Sequence, residues 1–169
     1  MMLLALAVFY RKTIAKLLYW IIRKTIHRGP LGNTWDGVKN LSMQDFSAYI
    51  NKYPYKADPL WGLLDYTIQE PNYFFRDDLR FGRDCSDFAQ MWYWWAKENG
   101  YWAWKVLLYD GWNLKSGHAT CVIFIDGKYY LADYWIRGEY NTLNQAIEQF
   151  RKQELVEYGK YKRLQWTTF

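Results

Sequence analysis

Three side chains able to act together in thiol nucleophilic catalysis occur in the order Cys85, His118 and Asp133. In that chemistry a thiolate attacks a carbonyl, an imidazole carries the proton, and a carboxylate fixes the tautomer and orientation of the imidazole. Two structural conditions follow. The thiol must sit where the thiolate is favoured, and the imidazole and acid must share one face of a rigid element.

A hairpin meets the second condition. The run Gly117 to Trp135, GHATCVIFIDGKYYLADYW, is two β-branched and aromatic stretches split by Asp126-Gly127, the dipeptide typical of a two-residue type I′ turn. With Ile125 facing Lys128, Thr120 falls opposite Asp133 and His118 opposite Trp135, and paired residues point to the same side of the sheet. His118 and Asp133 become diagonal neighbours on one face, about 7 Å apart at Cβ and within reach of each other. Cys121 lands on the opposite face and reads as a buried structural thiol.

The nucleophile's segment is RDCSDFAQMWYWWAKENG. Asp84 is the expected N-cap and Asp87 the capping-box carboxylate, while Cys85, Phe88, Ala89, Trp92, Trp95 and Ala96 recur at helical spacing and Gly100 ends the helix. Cys85 then occupies the first turn, where unpaired N–H groups and the positive end of the helix dipole favour a thiolate. Taken singly, each residue has an ordinary explanation: a core thiol, a satisfied polar group, a turn-forming acid. Their joint arrangement is what points to chemistry. His27, in a basic segment, reads as an ordinary polar residue.

On these residues the chain resembles the transglutaminase-like superfamily of papain-fold cysteine enzymes, the small bacterial and phage members in particular. DCSDFA is similar to the family's Cys helix, and GHATCVIFIDGKYYLAD to its His strand, turn and Asp strand. The similarity runs from about Gly82 to Trp135, about a third of the chain, with spacings of 33 and 15 residues between the three positions. It implies a Cys85–His118–Asp133 triad working through an acyl-thioester on an amide or isopeptide bond of a peptide, protein or cell-wall substrate. The family commonly has Asp-Pro after the second strand, whereas Asp133 is followed by Tyr134-Trp135. NlpC-type cell-wall peptidases are a second resemblance, but the glycine of their DCSG start is Asp87 here. An oxyanion would be held by the Cys85 backbone N–H and one upstream donor, for which Trp61, Gln69 and Tyr73 are the candidates. Neither metal nor cofactor is expected.

With 169 residues, 51% of them hydrophobic, the chain can bury one sizeable core. The net charge of +5 is uneven: residues 1–35 hold Arg11, Lys12, Lys16, Arg23, Lys24 and Arg28 and no acid, giving +6, and the remainder is −1. The apolar runs of that segment are interrupted by Arg11-Lys12 and Lys16, so neither reaches the ~20 residues of a spanning helix. It also lacks the positive n-region of a standard signal peptide. Residues 1–30 are expected to form a basic amphipathic helix and residues 31–169 the transglutaminase-like catalytic domain. Residues 1–28 could meet an anionic membrane surface or a protein partner, or pack on their own domain. No nucleic-acid partner is expected, because the catalytic part is near neutral. A cytoplasmic or virion-associated location, with peripheral membrane contact, fits these features.

Around the site the pattern predicts helices at 42–53, 58–67 and 142–152, a loop over 71–83, a strand at 102–109, a loop at 110–117 and a last strand at 158–166. The class is α+β: a papain-like helical half, nucleophile helix included, packed on an antiparallel sheet. Hydrolysis is the expected reaction. The alternatives are a catalytically silent domain of this type serving as an assembly or virion component, and a true amine transferase.

Overall fold

The fold is described by a computed structural model, which covers residues 9, 13–26, 30–58, 67–79, 82–110, 113–158 and 164–168. Five helices, α1 (Ala15–Thr25), α2 (Thr34–Val38), α3 (Met43–Ile50), α4 (Pro71–Phe74) and α5 (Cys85–Glu98), precede the sheet. Then come β1 (Trp102–Asp110), β2 (Asn113–Ile125), β3 (Lys128–Ala132), β4 (Ile136–Tyr140), α6 (Leu143–Tyr158) and β5 (Leu164–Thr168). The strands form one antiparallel sheet in the order β4-β3-β2-β1-β5. The α+β class holds.

The centre of the molecule is α5. Asp84 accepts from the Ser86 and Asp87 N–H groups, and the Asp87 carboxylate returns to the Asp84 N–H at 3.1 Å, completing the capping box. At the other end Gly100, at φ 76°, lets Tyr101 N–H reach the Ala96 carbonyl and Gly100 N–H the Lys97 carbonyl, the paired bonds of a Schellman stop. The apolar stripe then buries Phe88, Ala89, Trp92, Trp95 and Ala96. Phe46 of α3 lies against Trp92 edge-on and stacks on Trp95 at 5.7 Å. Ser42 caps α3 as the sequence predicts, through Asp45 N–H at 3.2 Å.

The hairpin register agrees with the sequence reading: Ile125 faces Lys128 and Cys121 faces Ala132. Both turn residues are left-handed, Asp126 at φ 49° and Gly127 at φ 80°, as a type I′ turn demands. Alternation along β1, β2 and β3 then divides the core. Leu107, Ala119, Cys121, Ile123 and Ala132 face α5, whereas Val106, Leu108, Val122 and Leu131 face Ala146 and Phe150 of α6.

Several expectations are corrected by this packing. The sheet is covered on both faces, because its second face is as apolar as its first and requires α6. Of the residues expected as a loop at 110–117, β2 takes in those from Asn113 on, with Gly117 facing Tyr109 and Asn113 facing Asp110 across a register shift. The 71–83 segment contains the short helix α4, which Pro71 opens at its first position. β4, unforeseen, adds to the edge of β3. The last helix runs on to Tyr158, and β5 begins only at Leu164, where it pairs with β1. The expected 58–67 helix falls largely on residues outside those described.

The boundary drawn at residue 30 does not separate two cores. Tyr19 and Ile22 of α1 are buried in the same cluster as Trp35, Phe46 and Trp92. Tyr19 also donates from its hydroxyl to Glu70 at 3.0 Å.

Asp87 is fully buried and ties the start of α5 to the chain before it, accepting the Ile68 N–H at 2.9 Å besides its bond to Asp84. Replacing it by Ala strands two buried N–H groups, each worth roughly 1–3 kcal/mol when unsatisfied. Denaturant unfolding of Asp87→Ala is therefore expected to show a loss of about 2–4 kcal/mol, with Asp87→Asn less affected. A loss below about 0.5 kcal/mol, as at ordinary surface positions, would show that the carboxylate holds neither group.

Candidate active site

Cys85 is the first residue of α5 and half-buried. It is held from both sides in sequence. Upstream, Arg83 is 2% exposed, donates from Nε to the Phe74 carbonyl at 2.6 Å and lies over the Tyr53 ring at 4.9 Å. Downstream, the capping box uses the Ser86 and Asp87 N–H groups but not that of Cys85. The Cys85 N–H is the backbone donor that an oxyanion formed at this thiol would meet.

His118 lies on β2 and Asp133 follows β3. The β2–β3 ladder ends at the Cys121–Ala132 pair, just short of them. Beyond it the chain is held by other bonds: Thr120 Oγ1 donates to the Ala132 carbonyl at 3.1 Å, and Asp133 N–H to the Trp135 carbonyl at 3.2 Å. Trp92 of α5 donates its indole N–H to the Asp133 carbonyl at 2.7 Å. In this setting His118 Nε2 and Asp133 Oδ2 approach to 2.9 Å, with Asp133 fully buried and His118 7% exposed. That is the diagonal contact the register implies. Cys85 is near enough to His118 for its charge to act on the imidazole. With Nε2 committed to the acid, Nδ1 is the ring nitrogen left to serve the thiol.

Two further buried charges complete the site, and neither was foreseen. Arg137 of β4 places Nε 2.6 Å from Asp133 Oδ2 and Nη1 3.5 Å from Glu154 Oε1. Glu154 of α6 is 1% exposed, with Oε1 3.9 Å from His118 Nε2. Phe150, one turn earlier on α6, packs against His118 with ring centres 5.5 Å apart. Ala146, Phe150 and Glu154 follow one another at i, i+4 and i+8. An acid on that apolar stripe was a usable signal, but the helix had been expected to end at Lys152, before Glu154.

The charges account for the imidazole. Burial by itself lowers the pKa of His118, but the charge of Cys85, the hydrogen bonds to Asp133 and Cys85, and the charge of Glu154 outweigh it and push the value up to about 10. Two carboxylates against one guanidinium leave the cluster one positive charge short, and a protonated His118 supplies it. Cys121 is fully buried on the opposite face, and burial pushes its thiol up. Its burial fits the reading of a buried structural thiol.

Aromatic rings border the site. Tyr134 packs on Phe88 with centroids 4.7 Å apart, lies 6.1 Å from the His118 ring, and is flanked by Tyr55 and Trp135, each at 6.0 Å. Tyr55 and Trp135 are more than half exposed. The Tyr134-Trp135 pair, standing where Asp-Pro is common in the family the sequence resembles, thus forms part of a rim. Of the upstream oxyanion candidates, Gln69 turns its amide nitrogen to the Thr67 carbonyl at 2.6 Å, and Tyr73 is fully buried against Tyr19. Trp61 lies outside the described residues.

Among the described residues no group of three or more His, Cys, Asp and Glu side chains is placed to hold a metal ion. A cleft of about 380 Å³ opens beside Thr34, Asn72 and Arg76, and none of the triad residues lines it. Comparison with protein-family models, curated proteins and solved structures found no match.

The charge cluster makes stability depend on pH in a defined direction. The pKa of His118 is raised on folding from 6.5 to about 10, so its contribution is complete below about pH 6.5 and disappears as pH rises through 10. Unfolding free energies measured at pH 6 and pH 10 should show a decrease that is smaller in His118→Gln and in Glu154→Gln. An identical decrease in both variants would exclude this origin. Arg137→Met, which leaves two buried carboxylates to share the single charge of His118, is expected to cost about 3–5 kcal/mol, measured by the same unfolding experiment.

Proposed function

We propose that the protein is a cysteine-dependent acyl-transfer enzyme of the transglutaminase-like type, most simply a hydrolase of an amide or isopeptide bond in a peptide or protein. The observation that supports this above all others is the 2.9 Å contact between buried His118 and Asp133, with helix-terminal Cys85 near enough for its charge to act on the same imidazole.

The reaction runs in two halves. The Cys85 thiolate attacks the carbonyl carbon while the Cys85 N–H shares the charge of the tetrahedral oxyanion. Collapse breaks the carbon–nitrogen bond, and the imidazolium proton of His118 passes to the departing amine. The resulting thioester is attacked by water, whose proton returns to His118 as the acid product leaves. Asp133 keeps Nε2 protonated and the ring oriented in both halves. Arg137 restrains Asp133 in turn, and Glu154 adds negative charge that favours the imidazolium; both are positioning residues. Tyr55 and Trp135 offer an apolar and hydrogen-bonding rim for the chain that flanks the scissile bond.

Labelling of the folded protein with a chloroacetamide-bearing peptide near pH 7 tests the reading by intact mass and peptide mapping. The adduct is expected on Cys85, with Cys121 unmodified. His118→Ala and Asp133→Asn, checked for folding, should slow labelling by about 10²–10⁴-fold, the range of a lost acid–base partner. Preferential labelling of Cys121, or variants that react at the wild-type rate, would refute the triad.

A further inference from the structure

The α1 helix has two apolar faces, and only one is used by the fold. Tyr19 and Ile22 point into the core, whereas Leu17, Trp20 and Ile21 are 57%, 48% and 48% exposed. With exposed Lys24 these residues stand at i, i+3, i+4 and i+7, a single stripe along the helix. Exposed Lys16 borders it. Residues 1–35 carry six bases and no carboxylate, while the rest of the chain has a net charge of −1.

We infer that this outer face of α1 is a docking surface for an anionic lipid bilayer, with Leu17, Trp20 and Ile21 entering the interface and Lys16 and Lys24 meeting the headgroups. An apolar stripe edged by lysine and carrying an indole matches the boundary between headgroups and acyl chains. A second copy of the chain is a poorer occupant, because two such faces would bring together two segments that each carry six bases and no acid in residues 1–35. A nucleic acid would leave Leu17 and Ile21 unused. In this docking α1 lies along the bilayer surface: its 11 described residues span about 16 Å against a hydrocarbon core of about 30 Å. Among the described residues no helix is long and apolar enough to cross a membrane.

Docking would also hold the candidate active site at a fixed distance from the membrane. Tyr19 is bonded to Glu70, and the neighbouring Ile68 is bonded to Asp87 in the first turn of α5. The inference itself stands apart from the thiol chemistry, and its test reads no activity.

Full-length protein is co-sedimented with vesicles of phosphatidylcholine and phosphatidylglycerol at 3:1, and with phosphatidylcholine alone, over a range of salt. Binding is expected to the anionic vesicles only, and to weaken as salt rises. Lys16→Gln and Lys24→Gln should each reduce the partition coefficient about five-fold, as ~1 kcal/mol per base implies. The double variant Leu17→Gln, Ile21→Gln alters only exposed positions, so circular dichroism should stay unchanged while binding falls at least ten-fold. Equal binding to both vesicle types, no binding to either, or binding indifferent to the double variant would overturn the inference. So would a concentration-dependent dimer that this double variant abolishes, since a second copy would then be the occupant.

Discussion

Asp133 is a fully buried carboxylate on which four parts of the molecule converge. Its side chain meets His118 of β2 and Arg137 of β4, its carbonyl takes the Trp92 indole of α5, and through Arg137 it is linked to Glu154 of α6. A charge in such a place costs several kcal/mol in lost hydration and persists only if every neighbour is correctly placed. The constraint is mutual. The strand, the edge strand and both covering helices can move only together without exposing an uncompensated ion.

That constraint also explains why the imidazole is suited to its proposed task. An acid–base group works best when its orientation is set before the substrate arrives. Here Asp133 sets one ring nitrogen and Phe150 supports the ring. The charge of Cys85, with the hydrogen bond to Asp133 and the charge of Glu154, keeps a proton on His118 in spite of burial that would otherwise remove it. Arg137 is needed so that the second carboxylate can be buried at all.

The charge asymmetry of the chain is likewise spatial. α1 contributes Tyr19 and Ile22 to the common core and shows Leu17, Trp20 and Ile21 to solvent, so its apolar residues serve two surfaces. A single hydrophobic sector facing away from the lysines, as the helical wheel suggests, is not what packing produces. Tyr19 turns inward because its hydroxyl finds Glu70.

What the sequence by itself determined lies within short stretches of chain. Asp126-Gly127 prescribes a turn that only two left-handed residues can make, and alternation then sets the register that brings His118 to Asp133. Asp84, Asp87 and Gly100 mark the ends of the helix that Cys85 begins through bonds between near neighbours, which local chemistry suffices to specify. What only the tertiary structure decided is long-range: the second cover of the sheet by α6, the extension of β2, the edge strand β4, and the meeting of Arg137 and Glu154 with the triad. Arg137 and Glu154 are 17 residues apart in the chain, and each taken alone resembles a surface charge. Only the packing of α6 across β3 and β4 removes both from water, and once desolvated, each requires the other.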